Sequence, residues 1–299
     1  MTASLLVVSC AVLAARGVGF DLGSMLLCLT CGCGLVMLAQ IYRFCERDKR
    51  LAHVLMAVGL FILFTLAGAT FNYVFLPNPL APIDPLLIRI DAALGYDWAT
   101  FVTATARHPW LGIALNIVYG TSLVQLIFIH AWWAFSDRIE RLHHLMLTGM
   151  TAALLSIIFW ACFPSFGAKA YATLPDWVEA SIPLAVTPAY GRELLRLAAE
   201  GPSIINPREM MGLIAFPSFH IVMACLAVVF APRWWPARAT LYALNLVMLP
   251  ATLAQGGHHL VDIAGGMAVF ALAYFVARSV LRRVTAVTAE SPILAARWV

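Results

Sequence analysis

Eight predominantly apolar stretches, at about 3–20, 23–42, 52–74, 110–134, 144–164, 217–232, 239–256 and 260–280, run through this chain of 299 residues. An α-helix rises 1.5 Å per residue, so about 20 apolar residues match the ~30 Å hydrocarbon core of a bilayer. In lipid every backbone N–H and C=O must be paired internally, and long continuous apolar runs meet that demand as helices. Composition excludes the soluble reading. Hydrophobic residues make up 62% of the chain and charged residues only 11%, where a soluble domain carries about 25% charged residues to cover its surface. The expectation is an all-α polytopic membrane helix bundle of about 7–8 transmembrane helices. The first stretch has no basic start and ends near Arg16, so it reads as a span and not as a signal peptide. The sixth is short, and its outer end carries Ser218 and His220.

Charge between the stretches predicts orientation. The segments 43–50, 136–143, 233–238 and the tail 278–299 hold twelve of the nineteen Lys and Arg residues. All four fall on one side if the spans alternate, and by the positive-inside rule that side is cytoplasmic. Both termini are then cytoplasmic, and the long loops 75–109 and 165–216 face outward. The pattern suits a bacterial inner membrane, with those loops in the periplasm. Within the loops, Asp84 followed by Pro85 reads as a helix cap and first turn over 84–93. A second amphipathic helix is predicted around 192–200, and Trp98 and Trp110 are placed at headgroup depth. The organisation is N-terminal transmembrane helices over 1–50, one membrane domain over 51–285 and a cytoplasmic tail over 286–299. Scattered basic groups without an aromatic-interleaved stripe exclude a nucleic-acid partner. Cys28, Cys31 and Cys33 lie in an apolar run without His or acidic partners. They read as small packing residues beside Gly32 and Gly34, not as a metal site.

Ionisable residues at span ends carry the chemistry, because burying them is costly without a purpose. His220 begins the sixth stretch, while His258, His259 and Asp262 begin the eighth, and alternation puts them all on one face. Positions i and i+4 share a helix face, so Asp262 reaches His258. A carboxylate on one ring nitrogen sets the tautomer and frees the other nitrogen as a nucleophile. Gly256 and Gly257 admit a ligand close to the backbone, and helix-start amides suit an anion. His220 is placed to protonate a leaving oxygen. An electron-poor phosphorus attacked by imidazole fits this layout.

Phe216–His220 (FPSFH) resembles the PSxH motif, and Gly257–Asp262 (GHHLVD) with Gly265-Gly266 resembles the histidine–aspartate motif, of the type 2 phosphatidic acid phosphatase (PAP2) superfamily. Gly212–Ala215, the Asp84…Asp91…Leu94–Trp98 segment and Tyr119…Ser122…Gln125 are similar to its Aur1-like inositolphosphotransferase branch. The resemblance covers roughly residues 80–270 and implies a six-helix core, a phosphohistidine mechanism without metal or other cofactor, and a site facing outward. His258 would attack phosphorus, Asp262 would orient it, and His220 would protonate the leaving group. Ser218 and the amide of Gly257 would hold phosphate oxygens. Two cationic features of the superfamily are missing: no Lys…Arg-Pro first motif is recognisable, and Thr252 stands where an Arg is usual. Lys169 and Arg208 are the candidates to supply that charge.

The expected substrate is a phospholipid, or an isoprenoid or sphingolipid phosphate, drawn from the bilayer. Transfer to water makes a phosphatase. Transfer of a phospho-head group such as phosphoinositol to a lipid hydroxyl makes a phosphotransferase. The same three side chains serve both, so the motifs do not choose. The alternative from another class is a transporter using the same His and Asp residues as a proton or anion site. Such sites lie near the midplane in broken helices of paired repeats, and no inverted repeat is visible. A non-catalytic scaffold is the third reading. The sequence leaves the oligomeric state open.

Overall fold

The computed structural model describes residues 1–136 and 138–290, so positions 291–299 of the expected tail lie outside the described residues. The helices are α1 (Thr2–Ala15), α2 (Leu22–Phe44), α3 (Lys49–Tyr73), α4 (Asp84–Ala93), α5 (Trp98–Ala106), α6 (Pro109–Gly120) and α7 (Ser122–Phe135). They continue as α8 (Ile139–Cys162), α9 (Asp176–Ser181), α10 (Pro188–Glu200), α11 (Phe219–Val229), α12 (Trp235–Gly256) and α13 (Leu260–Glu290). The all-α bundle is as expected, and the chain is a multi-pass membrane protein. Among the described residues six helical segments are long and apolar enough to cross a bilayer: α2, α3, α6–α7 taken together, α8, α12 and α13. The first and sixth stretches form apolar helices of only 14 and 11 residues. Pro217 just before α11 and Pro232 just after it account for the second, since neither proline nor the residue before it continues a helix.

Local chemistry sets the boundaries. Asp21, Asp48 and Asp97 each accept backbone N–H bonds at the first turns of α2, α3 and α5, satisfying donors that a helix start leaves open. Thr187 does the same for α10, accepting from Tyr190 N at 3.2 Å, with Pro188 in the first turn. This cap explains why α10 begins a turn before the predicted 192. Gly201, at φ +76°, ends it.

Gly32 and Gly59 let α2 and α3 pack at close range; a Cβ on Gly59 would lie 2.9 Å from the Gly32 carbonyl oxygen. The expectation that Cys31, Cys33 and Gly34 share this packing is corrected. The two cysteines are exposed and nothing lies within 4 Å of a Cβ on Gly34, because that face of α2 points outward. At one end of the bundle Trp133 Nε1 donates to Phe230 O at 2.8 Å, and Trp132 stacks on Trp234. At the other end Gly19–Phe20 pairs in parallel with Ile204–Ile205, Arg16 donates to Val74 O, and Ile83 N donates to Pro164 O. The loops 75–109 and 165–216 thus share one end with the start of α11 and the α12–α13 turn.

Two outer-loop expectations are corrected. Asp84 opens α4 but makes no cap, because its carboxylate faces inward and accepts from Ser165 Oγ and the amides of Phe166 and Gly167. Trp98 is 2% exposed, and its indole N–H donates to Leu253 O at 2.9 Å. The apolar ring packs in a cluster with Val102, Val178 and Ile182, while Trp110 is exposed.

Candidate active site

The α12–α13 turn builds the centre of the site. Gly257 caps α12 in the left-handed conformation at φ +64°, which glycine adopts without steric cost. Its missing side chain has a second use: a Cβ there would come within 2.6 Å of Lys169 Cδ. The turn delivers His258 and His259 to the start of α13, whose first amides are taken by carboxylates, His259 N by Asp262 and Leu260 N by Asp91. Asp262 Oδ2 then accepts from two donors, His258 Nδ1 at 2.8 Å and the His259 amide at 3.0 Å. His258 and Asp262 are 4% and 0% exposed. The Asp262 Oδ1 atom is buried and has no protein partner.

Ser218, at the start of α11, is held against this pair. Its amide donates to Asp262 O at 3.2 Å, and its hydroxyl lies 3.4 Å from His258 Nε2. The approach needs Gly265 and Gly266, since Cβ atoms there would meet the Phe216 ring and the Ser218 carbonyl at 2.5 Å. Nδ1 of His258 is thus committed to carboxylate and Nε2 is directed at Ser218 and the space beyond. His220 stands on the next turn of α11. Its ring stacks on Tyr119 at 4.0 Å, and its Nδ1 lies 3.2 Å from the Tyr119 hydroxyl. A Cβ on Gly256 would be 3.1 Å from that hydroxyl and 3.0 Å from His258 Nε2. The Tyr119 hydroxyl therefore links the two histidines, lying against His220 Nδ1 and on the Gly256 side of His258.

Of the two candidate cations, one joins the site. Lys169, in a short 3-10 turn at 168–170, is 4% exposed and donates to Gly256 O at 3.1 Å. Burial pushes its pKa down to about 8, opposed by the charges of Asp262 and Asp84. Arg208 does not join. It is exposed in the 206–209 turn, where its charge acts on Asp21. Thr252, in the place of the usual arginine, is fully buried with an unpaired hydroxyl.

Sequence reasoning gave no role to Tyr119, Asp84, Asp91 or His259. His259 Nδ1 lies 2.7 Å from Asp91 Oδ2 and its Nε2 3.4 Å from Asp84 Oδ1, all three groups being buried. Spacing carried one usable signal: Asp84 and Asp91 are seven residues apart, two turns, and so share a face of α4. Burial lowers the His258 pKa far below the usual histidine value, and the charges of Lys169 and His259 act in the same direction. The neutral, lone-pair-bearing imidazole is therefore the resting form. Tyr119 has its hydroxyl beside His220 Nδ1, which leaves Nε2 of that ring for a substrate oxygen.

The outer helices roof the site. Tyr96 donates to His258 O at 3.4 Å, and Gln255 accepts from Asn116 Nδ2 and from the Ala185 amide. Below lies a mostly apolar cavity of about 440 Å³ between α3, α7, α8 and α11. Phe64, Leu126, Met150 and Met223 line it, and His220 stands in its wall. An 11-residue α11 rises only about 16 Å, about half of the ~30 Å hydrocarbon core.

The sequence model of the PAP2 superfamily matches residues 85–276, which contain Lys169, Ser218, His220, His258 and Asp262, while Asp84 lies one residue before it. No curated protein and no solved structure matches the chain.

Proposed function

The chain belongs to the PAP2 superfamily, and from that premise we propose that it is a membrane lipid-phosphate phosphatase or phosphotransferase working through a phosphohistidine on His258. The observation that carries this reading is the Asp262–His258–Ser218 line, with Lys169 bonded to Gly256 O beside it and His220 joined to it through the Tyr119 hydroxyl. The His258 Nε2 lone pair attacks phosphorus, and the bond from phosphorus to the lipid oxygen breaks. That oxygen takes a proton from His220 Nε2, whose ring Tyr119 orients. Asp262 compensates the charge that His258 acquires. Lys169 and the amides of the α12–α13 turn face the phosphate oxygens. In the second half, His220 takes a proton from water or from a lipid hydroxyl, and that oxygen displaces Nε2. The positive-inside pattern supports a site opening to the extracytoplasmic side of a bacterial inner membrane.

The cavity supports a lipid donor. A cavity of about 150 Å³ holds a benzene ring; by that scale 440 Å³ has room for on the order of 18 carbon atoms, one long hydrocarbon chain. Gly68 lines it, and a Cβ there meets nothing closer than 4.0 Å. Gly68→Leu is therefore expected to lower kcat/KM for a long-chain lipid phosphate by about tenfold or more while sparing a dioctanoyl substrate, since each buried methylene contributes about 0.8 kcal/mol. Equal effects on both chain lengths would sink the assignment of the cavity.

The reaction is tested with dioctanoyl phosphatidate in detergent, quenching early and looking for an acid-labile, alkali-stable phosphoenzyme on His258. Inorganic phosphate release then marks hydrolysis, and a phosphorylated added diacylglycerol or ceramide marks transfer. Failure to phosphorylate His258 with any lipid phosphate from a bacterial membrane extract would overturn the reading. His220→Ala is expected to slow phosphoenzyme formation by about 10²–10⁴ for an alkyl leaving group and far less for p-nitrophenolate, which needs no proton. A uniform loss across leaving groups would remove His220 from that role.

The Aur1-like frame supports transfer to a lipid hydroxyl as a second reading. The roof over the site favours it too, because the nucleophile lies closed off from the outer aqueous side while a bilayer-level cavity reaches the His220 wall.

A further inference from the structure

His259 follows the proposed nucleophile directly and is fully buried. Both of its ring nitrogens point at carboxylate oxygens, Nδ1 at Asp91 and Nε2 at Asp84. Asp84 has no proton of its own to share, because donors already surround it, and at Asp91 the Leu260 amide occupies the oxygen that His259 does not face. Asp84 accepts from Ser165 Oγ, the Phe166 and Gly167 amides and the Tyr171 hydroxyl, and Asp91 accepts from the Leu260 amide. A neutral imidazole has one N–H, and its second nitrogen would set a lone pair against a carboxylate. With both acids ionised, only the imidazolium satisfies both contacts. Burial alone would drive the proton off His259, but the bonds to Asp84 and Asp91 and the charges of Asp262 and Asp84 outweigh it and raise the pKa above the ordinary histidine value.

The charges around this ring come from three elements. Asp84 and Asp91 belong to α4, Asp262 to α13, and Lys169, with the Tyr171 phenol, to the 165–171 segment; His258 adjoins in the turn. Three buried carboxylates thus face two cations, Lys169 and His259. Without His259, the excess negative charge in a low-dielectric pocket is relieved most cheaply by protonating a carboxylate. Asp262 already bonds the His259 amide and the His258 ring through one oxygen, and a protonated Asp262 no longer selects the tautomer of His258.

We propose that His259 is a positioning residue: held as a buried imidazolium between Asp84 and Asp91, it keeps Asp262 ionised and so keeps His258 with its proton on Nδ1 and its lone pair on Nε2. The inference rests on the reading of His258 as the nucleophile. The clamp also joins α4 and the Lys169 segment to the turn that carries His258, so one buried ring coordinates the oxygen-binding cation with the attacking nitrogen.

The test is ¹⁵N NMR of the full chain in lipid nanodiscs, with labelled histidine and signals assigned by single substitutions. Wild type is expected to show His259 doubly protonated at pH 7, with His258 protonated on Nδ1 alone. His259→Gln is expected to convert His258 to a mixture of tautomers and to lower dioctanoyl phosphatidate turnover at pH 6 about tenfold more than at pH 8, a shift of roughly one pKa unit. A neutral His259 at pH 7 in the wild type overturns the proposal, and so does an unchanged His258 tautomer in His259→Gln. If that variant does not fold, the wild-type titration and Asp91→Asn decide. Asp91→Asn removes one acceptor and should lower the pH at which His259 loses its second proton. The His258 tautomer is read without turnover, so absence of a phosphoenzyme would count against the nucleophile and an unshifted tautomer against His259 alone.

Discussion

His258→Ala is expected to lower lipid-phosphate turnover by at least about 10⁴-fold, the scale on which loss of a nucleophile or its partner acts in triads, and to abolish the phosphoenzyme. The geometry makes the loss specific. Nε2 lies 3.4 Å from Ser218 Oγ and borders the space shared with Tyr119, while His220 has no carboxylate on its other nitrogen and His259 is engaged with two acids. Asp262→Asn is expected to cost about 10²–10⁴-fold for a different reason: the amide can donate to Nδ1, which moves the ring proton to Nε2 and removes the attacking lone pair. The two act as a unit. The double variant should be no slower than His258→Ala alone, a non-additivity that independent contributions would not give. Thermal stability separates chemistry from folding. The buried Asp262 also accepts the His259 amide, so its loss should lower the melting temperature, whereas His258→Ala leaves that bond in place. His258→Ala retaining more than a tenth of wild-type turnover would refute the nucleophile assignment.

Much of the bundle was legible because membrane spans are governed by a single dominant constraint, length of apolar sequence, that leaves its mark residue by residue. The limits of that legibility are equally physical. The stretch 217–232 has the hydropathy of a span, but the prolines at its ends cut the helix to 11 residues, and hydropathy alone does not register them. In the site, His258, Asp262 and Ser218 were readable from local spacing and motif, because an i,i+4 pair and a helix start are local objects. The partners that complete the site were not. Asp84 in front of Pro85 carries every sign of a helix cap, and only the fold of residues 165–167 against it turns the carboxylate inward. His259 carries the same residue type as its neighbour, and nothing in the local pattern distinguishes a nucleophile from a charge clamp. Lys169 and Arg208 were equivalent in sequence, both basic residues in one long outer loop. The 3-10 turn at 168–170 and the missing side chain of Gly257 brought in the first, and the exposed 206–209 turn left the second outside.

That difference makes Lys169 the residue whose loss should matter most after the nucleophile pair. Its ammonium has three donors, and one goes to the Gly256 carbonyl; the others remain for phosphate oxygens. A buried cation with a single carbonyl partner is poorly stabilised in the empty site, which is why burial lowers its pKa to about 8, and a bound phosphate would restore what burial removes. Lys169→Met, of similar length and without charge, is expected to lower kcat/KM by about 10²–10³-fold, as for removal of one preorganised oxyanion donor. Gly257→Val should act in the same direction by displacing the lysine stem. The sign of the pH dependence follows from the direction of the shift. Lys169 is charged below about pH 8 and neutral above it, so wild-type kcat/KM, which reports the free enzyme, should fall with rising pH from about 8, by up to tenfold per unit. In kcat, which reports the complex, the bound phosphate holds the proton and the same limb should appear at higher pH. Lys169→Met should be slow throughout but lack the limb near pH 8 in kcat/KM. A basic limb that survives unchanged in that variant would assign the titration to another group and leave the phosphate without its cation.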